Sequence, residues 1–467
     1  MSLQRSCAFV LVFVLGLFVS GARGETSWQA GCAKTIITPA ELMWMAGYGS
    51  RDTPAEGKLT ELWTKALVLQ DAQGHRGVLI TLDLVGIARD LAVPICEDIE
   101  KKYGLKRDQI AICTSHTHTG PVVAKNLSAL HYQVVDATQR KLITDYAADL
   151  RQKVLATVEQ AMQNLAPCQV TWGSGRADFA VNRRTNREPE VPEVRTVGQL
   201  QGPVDHDVPV LAVHAADGQL KTVVFGYACH ATVLGINQWT ADYPGFAQTY
   251  FEELHPGCQA MFFAGCAGDQ NPLPRRTIDL AKHYGRRLAT AVEAVVMTSR
   301  MRPVTGSLQT SYREVDLPLA PLPTREEIEQ NTKSTNKFEV ARAQLLLEQL
   351  DAGKPLSPTY PYPVALWQIG PDVSFVILGG EVVVDYAIRL KAELTGTRTW
   401  VAGYSNDVMA YIPSRRVLAE GGYEGASSMV YYGLPTVWAP EIENRIVSTV
   451  HELVTNQSAA VKQESGR

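Results

Sequence analysis

The sequence predicts an α/β fold, a large mixed β-sheet core flanked by helices, with a metal site at the C-terminal ends of its strands. Three observations predict it. Continuous Val/Ile/Leu/Phe runs such as Thr222–Cys229 and Val373–Leu378 read as strands buried on both faces. Between such runs, Ile143, Tyr146, Leu150, Val154 and Val158, and again Ala281, Tyr284, Leu288, Val292 and Val295, follow the spacing of amphipathic helices. Polar side chains able to do chemistry stand where several apolar runs stop, the place where open α/β sheets bind ligands.

In chain order, the first segment reads as a leader. Arg5 is basic, Cys7–Val19 is apolar, and Ser20-Gly-Ala22-Arg-Gly24 offers a cleavage site. Residues 1–24 are expected to be a signal peptide, cleaved before Glu25, with an uncleaved anchor as the alternative; the protein is then exported to a periplasm or secreted. A catalytic domain is expected over 25–456 and a polar, disordered tail over 457–467. Strands are expected at Lys65–Gln70, Gly77–Ile87, Gln109–Cys113, Val208–His214, Thr222–Cys229, Gln259–Ala264, Val364–Ile369 and Val373–Leu378. Thr324-x-x-Glu327 is a capping box opening a helix that runs polar through Asn336 and ends at Asp351-Ala-Gly353. It lies in a polar segment, Pro318–Tyr362, that reads as an insertion. Arg183–Val204 is a second long connection, and long loops often carry function.

Composition sets limits. The chain has 467 residues, 45% hydrophobic and 20% charged, with formal net charge −4. That is globular, with no basic excess to suggest nucleic acid. Beyond Cys7 the cysteines are Cys32, Cys96, Cys113, Cys168, Cys229, Cys258 and Cys266, scattered and without a C-x-x-C pair, so neither a disulfide framework nor a zinc ribbon. Cys113 and Cys229 read as buried small hydrophobes; Cys258 and Cys266 are near enough in sequence to pair in an oxidising compartment.

Four stretches could carry chemistry. In Ser115-His116-Thr-His118-Thr-Gly120-Pro121, residues i and i+2 of a strand share a face, so both imidazoles should project together from its end. They could share a divalent metal, one could bind while the other moves protons, or they could be two polar residues in a turn. His230 ends another apolar run and Glu381 follows Gly379-Gly380; with His116 they make an N,N,O set of the kind that holds catalytic zinc, though each alone could be a satisfied core or ion-paired residue. The segment from Asn406 to Tyr432 is dense in glycine and tyrosine and carries Tyr411, Tyr423, Tyr431 and Tyr432, which could cover a core edge or, near a metal, bind it or stabilise an oxyanion. Gly268-Asp269-Gln-Asn271-Pro272 follows a strand; its glycine would let backbone N–H groups approach a ligand, or Asp269 could cap a helix.

Taken in order, these motifs resemble the neutral/alkaline (non-lysosomal) ceramidase family, specifically its N-terminal catalytic domain. The likeness runs from Ala30–Pro39 and Met45–Gly49 through Thr81–Val85, Ser115–Pro121, Asn182-Arg183 and Gly268–Pro272 to Gly380-Glu381 and Tyr423–Ser427. It implies Zn2+ held by His116, His230, Glu381 and Tyr411, the last standing twelve positions before Tyr423. It implies that His118, Arg183 and Tyr423 act on the substrate carbonyl or its protons, and that Gly268, Asp269 and Asn271 belong to a substrate-binding loop. Two departures stand out. The family's full enzymes continue into an immunoglobulin-like domain, whereas this sequence ends soon after Leu453. The family loop also has a serine, proposed as catalytic, where this chain has Asn271. Were that serine the nucleophile the chain would be inactive; the complete metal set favours attack by zinc-activated water.

The resulting expectation is an exported zinc amidohydrolase cleaving an N-acyl amide, N-acylsphingosine or a related lipid, with His118 protonating the leaving amine and peripheral membrane contact open. The alternatives are a zinc hydrolase of a non-lipid amide or ester, and an inactive ligand-binding relative. No obvious amphipathic membrane-binding helix is visible, and the general base is not identifiable from sequence.

Overall fold

A computed structural model of the protein describes residues 28–298 and 301–465, with side chains to 459. The expected leader lies outside the described residues. The first sheet is built from β1 (Trp28–Ile36), β2 (Trp63–Gln70), β3 (Arg76–Leu82), β4 (Ile110–Thr114), β5 (Ala166–Arg176), β6 (Asp207–Ala215), β7 (Leu220–Tyr227) and β8 (Gln259–Ala264). Their spatial order is β8-β7-β6-β5-β1-β2-β3-β4, and the two-residue strand Arg302–Pro303 lies against β5. The pairs β3–β4 and β7–β8 are parallel and the others antiparallel, so the large mixed sheet is present.

A second sheet covers the first. It comprises β9 (Leu308–Pro318), β10 (Thr359–Ile369), β11 (Val373–Leu378) and β12 (Arg398–Ala402) in that order. The strands alternate between two partners. On β2, Ala66 and Val68 pack under helices α1 (Arg89–Tyr103) and α2 (Ala137–Gln163), while Leu67 and Leu69 face the second sheet. On β7, Phe225 and Tyr227 pack under α3 (Asp242–Leu254) and α4 (Ile278–Val296), and Val224 faces inward. The inter-sheet layer holds Trp172, Trp367, Phe263, Phe375 and Trp400. The outer face of the second sheet packs on α7 (Asp385–Glu393) and α8 (Ile442–Ser465), with α5 (Arg325–Asn331) and α6 (Lys337–Asp351) preceding them in the chain. The result is four layers, helix–sheet–sheet–helix. Continuous apolar runs were the expectation for strands buried on both faces; what lies on the second face is another sheet.

Several expected elements differ. The expected strand Gly77–Ile87 stops at Leu82, where the Asp83 carboxylate turns back to accept from the Trp63 amide at 3.0 Å. Strands β1, β5, β9 and β12 carry no long apolar run; β9 is mostly half-exposed and polar but pairs with β10 along its whole length. That pairing brings Pro318 opposite Thr359, so residues 319–358 form an excursion from one hairpin, as an insertion would. The capping box at Thr324 forms, yet its helix is two: α5 stops at Asn331, and Asn336 caps α6 by accepting from the Phe338 amide at 3.0 Å. Polar residues mid-helix here compete for backbone donors and break the helix. Helix α8 continues past Asn456 to Ser465, where polarity predicts a disordered tail, because buried Gln457 donates to Ser311 at 2.9 Å and to the Leu366 carbonyl at 3.3 Å. Cys258 and Cys266 are both free, standing at opposite ends of β8; a six-residue strand separates its ends by about 20 Å, far beyond disulfide reach. No helix among the described residues is long and apolar enough to cross a membrane.

The feature that places the site is the curl of the first sheet. Its edge strands β4 and β8 come within 8 Å, Cα to Cα. The peptide Gly403–Asp407 fills the seam. Gly403 N–H donates to Ala264 of β8 at 3.0 Å, and Asn406 N–H donates to Ile112 of β4 at 2.7 Å. The Asn406 side-chain oxygen accepts from the Ile112 amide at 3.1 Å, and Ser405 N–H reaches Leu378, the end of β11, at 3.1 Å. Asn406 has φ +66°, a left-handed conformation that asparagine tolerates better than alanine does. Asn406→Ala should therefore strip the Ile112 amide of its partner and strain the backbone, costing roughly 2–4 kcal/mol. Asn406→Gly, which removes only the hydrogen bond, should cost less. Urea unfolding midpoints of the two variants check this; a wild-type midpoint for the alanine variant would show that the seam does not hold the fold.

Candidate metal centre

His116 and His230 lie on turns after strands, while Glu381 and Tyr411 open two short strands that pair with each other. His116 follows β4, but not on a strand face: the strand ends at Thr114 and His116 sits at φ +59°. The i, i+2 argument therefore does not apply, and the left-handed turn is what brings the two rings together. Their Nε2 atoms lie 3.0 Å apart. His230 follows β7 across the curled sheet, and Thr117 pairs with Ala231 to lock the two turns side by side. Glu381 enters after Gly380, whose φ is +71° and where a Cβ would stand 2.5 Å from an Ile412 side-chain carbon, so glycine is required.

The hydrogen bonds behind the rings fix their chemistry. His116 Nδ1–H donates to the Val85 carbonyl at 2.5 Å, and His230 Nδ1–H donates to the Ala267 carbonyl at 2.6 Å. Both Nε2 lone pairs then face inward. Between them lies the Glu381 carboxylate, with Oε2 3.1 Å from each Nε2. The other oxygen, Oε1, accepts from the Tyr432 hydroxyl. His116, His118 and His230 offer ligand atoms within 4.8 Å of one another.

Electrostatics support a cation here. Burial, then the Arg183 guanidinium, pushes His230 down to about 4. Burial and the neighbouring imidazoles push His118 well below the usual histidine range. Burial alone would raise the Glu381 carboxyl, but the facing imidazoles His116 and His230 hold it well below the usual carboxylate range. A neutral His230 cannot by itself keep a buried carboxylate ionised. Glu381 Oε2 has no hydrogen-bond donor in place and is fully buried. Lone pairs of two imidazoles and an orphaned carboxylate oxygen converging on one point are the donor set of a divalent cation.

Around the donors, Tyr411 places its hydroxyl 3.3 Å from His230 Nε2, and Arg183 Nη2 donates to that hydroxyl at 3.0 Å. Arg183 is held by Glu424 at 2.8 Å and lies over the rings of both Tyr411 and Tyr423, 5.7 Å from each. Tyr423 opens a one-turn π-helix and is 44% exposed at the rim. His118, Arg183, Tyr411, Tyr423 and Asn271 line a common cavity of about 680 Å³; His116, His230 and Glu381 lie behind it. Of the three imidazoles, His118 is thus the one that reaches substrate space.

Two of the expected loop residues are placed otherwise. Gly268 backs onto the Glu381 strand, where a Cβ would meet the Glu381 carbonyl oxygen at 2.7 Å. Asp269 is fully buried and caps no helix; it accepts from Asn182 Nδ2 and the Val384 amide, both at 2.9 Å. They brace the site from behind, and Asn271 alone of the three lines the cavity. Sequence reasoning named Tyr432 only as one of a dense group of tyrosines, and it missed Glu424, Tyr404, whose ring lies tilted by 35° at 4.2 Å from that of His116, and Tyr48, edge-on to His118 at 4.8 Å. Tyrosine density was the one available signal for Tyr432; nothing local marks Glu424 or Tyr48.

Comparison with known proteins bears on the family and the fold. Residues 28–272 match the family profile described as neutral/alkaline non-lysosomal ceramidase, N-terminal. Neutral ceramidase 2 of Arabidopsis thaliana is 24% identical over 313 residues, covering 65% of this chain and 39% of its own. Neutral ceramidase of Drosophila melanogaster is 22% identical over 280 residues, 56% of this chain and 38% of its own. The chain therefore spans about two fifths of the length of these curated relatives. The crystal structure of neutral ceramidase from Pseudomonas aeruginosa superposes with a TM-score of 0.69 over 90% of this chain and 72% of that one, at 21% identity, a likeness of fold. With the matched segment running from β1 through Asn271 and spanning His116, His118, Arg183 and His230, the chain belongs to the neutral/alkaline non-lysosomal ceramidase family.

Proposed function

We propose that the protein is a zinc-dependent hydrolase of a linear N-acyl amide, ceramide or a related N-acyl lipid being the first class to test. The observation that carries this reading is Glu381 Oε2, buried without a donor and 3.1 Å from two inward-facing imidazole nitrogens. His116, His230, Glu381 and Tyr411 would hold the cation. When bound, it supplies Lewis acidity, polarising a carbonyl and acidifying water from about 15.7 to about 7.

The remaining steps fall to the chain's own residues. Hydrolysis adds water across the amide: oxygen to the carbonyl carbon and, as the C–N bond breaks, a proton to the leaving nitrogen. The carbonyl oxygen gathers negative charge, and Arg183 and the Tyr423 hydroxyl stand on the cavity wall to donate to it. Glu424 positions Arg183 through a buried charge-assisted bond. His118 faces both the donors and the cavity, the place from which a proton can be handed to the amine. Asn271 accepts from Arg183 Nη1 at 3.3 Å and fits an orienting role; a carboxamide has no ionisable proton near neutral pH to make it a nucleophile. Residues 1–24 are proposed to be a cleaved export signal, with the catalytic unit beginning near Glu25.

Four measurements test these assignments. Purified protein should hold about one zinc per chain, and His230→Ala should lose it while staying folded. His118→Ala should keep zinc and lose turnover, most severely for amides with poor leaving amines; zinc loss equal to that of His230→Ala would make His118 a ligand instead. Tyr423→Phe should retain zinc and fold while kcat falls roughly 10²-fold or more; wild-type kcat would place that hydroxyl outside the reaction. Protein exported by a bacterial host should begin near Glu25 by mass spectrometry, and an intact Met1 on membrane-bound protein would indicate an anchor.

A further inference from the structure

The cavity beside the centre is unlike a lipid pocket. Among its lining residues only Leu273 carries an aliphatic side chain, whereas Arg183, Arg184, Arg187, Arg275 and Arg276 supply five guanidiniums against the two carboxylates of Glu188 and Glu424. Those carboxylates are already engaged. Glu424 holds Arg183 at 2.8 Å and Arg184 at 2.5 Å, and Glu188 grips Arg275 through two bonds of 2.9 and 2.7 Å. Arg187 turns to Glu190 at 2.6 Å. Among the described residues, Arg276 has no carboxylate within 4.0 Å.

Arg276 is nevertheless held in place. Its backbone sits at φ +96°, a conformation rare for a side-chain-bearing residue, fixed by its N–H donating to the Val233 carbonyl at 2.7 Å. Its guanidinium lies over the Tyr48 ring at 5.3 Å and donates to the Tyr48 hydroxyl at 3.2 Å. That same ring packs edge-on against His118 at 4.8 Å. One tyrosine ring therefore separates an exposed cation without an acidic partner from the imidazole that faces the scissile bond. A chain with formal net charge −4 gathers this positive surface at one cavity, where low-dielectric walls focus the field on an incoming anion.

Resting on the hydrolase reading of this site, we propose that the amide it cleaves carries an anionic group, a carboxylate or a phosphate, received by Arg276 across Tyr48. Guanidinium donors in a fixed fork suit either oxyanion. The arginine-rich wall favours such a substrate over an uncharged two-chain lipid.

The test compares zinc-loaded wild type, Arg276→Ala and Arg276→Lys on N-dodecanoylglycine, N-dodecanoyl-O-phosphoethanolamine and the uncharged N-dodecanoylethanolamine. At low salt, wild type should favour at least one anionic amide by tenfold or more in kcat/KM, and added NaCl should shrink the ratio. Arg276→Ala should reduce that ratio at least tenfold, mainly through KM, with Arg276→Lys intermediate. The carboxylate and phosphate arms tell the two anions apart. Non-hydrolysable sulfonamide analogues of the glycine and ethanolamine amides, titrated calorimetrically into the same proteins, separate this inference from the hydrolase reading. Absent turnover with selective, Arg276-dependent binding of the anionic analogue would overturn the hydrolase reading while keeping Arg276 as the residue that receives the anion. Turnover or binding without anionic preference, or a preference that Arg276→Ala leaves intact, would overturn it.

Discussion

His116 and His230 leave the first sheet on opposite flanks, from β4 at one edge and from β7 beside the other, and they meet because the sheet curls until β4 and β8 nearly close. The peptide Gly403–Asp407 fastens that closure by bonding to both edges and to the end of β11 in the second sheet. His116 and Glu381 both lie beside this seam. Glu381 follows β11, and the ring of Tyr404, inside the seam, lies 4.2 Å from that of His116. The candidate metal centre is thus a product of sheet curvature more than of any local motif.

Closure at such a tight radius leaves a record in the backbone. His116, Tyr404 and Asn406 all adopt positive φ without being glycine, and Gly380 does so where no other residue would fit. Each such residue is strained by about 1–3 kcal/mol and persists only when its surroundings over-determine it. Here they do: Tyr404 N–H donates to the Gly380 carbonyl at 2.8 Å, and the Tyr404 carbonyl accepts from the Thr114 amide at 3.2 Å. Strain, buried charge and functional side chains coincide because a site that must hold converging donors cannot also relax its backbone.

Membership of a family and the shape of one cavity answer different questions. The fold accords with that of a neutral ceramidase, and the family profile covers the segment that carries His116, His118 and His230. The cavity wall is set by the connection after Arg183 and the loop at Arg275-Arg276, segments free to vary on a constant scaffold. An arginine-lined mouth beside the candidate centre is a feature of this chain's own loops, and it sets the charge presented to a ligand.

Much of the scaffold was legible in the sequence. Apolar runs marked most of the first sheet and two strands of the second, and helical spacing marked α2 and α4, because periodicity reports which faces of an element must leave water. It does not report what covers them, so the second sheet went unseen, and polar β9, stabilised by pairing with β10, left no signal. His116, His118, His230 and Glu381 stood out as polar residues ending apolar runs, whereas Tyr411 was legible through family resemblance and the roles of Glu424, Tyr432 and Tyr48 were not, although Tyr432 lay in the tyrosine-dense segment. Their roles arise from contacts across 241, 51 and 70 positions of chain, to Arg183, Glu381 and His118 respectively. The sequence by itself determined the kinds of element and the inventory of possible ligands, since these follow from local pattern and side-chain chemistry. Which ligands converge, which nitrogen of each imidazole faces inward and which arginine is left without a carboxylate were decided by the tertiary structure, because each depends on how strands distant in the chain are brought together.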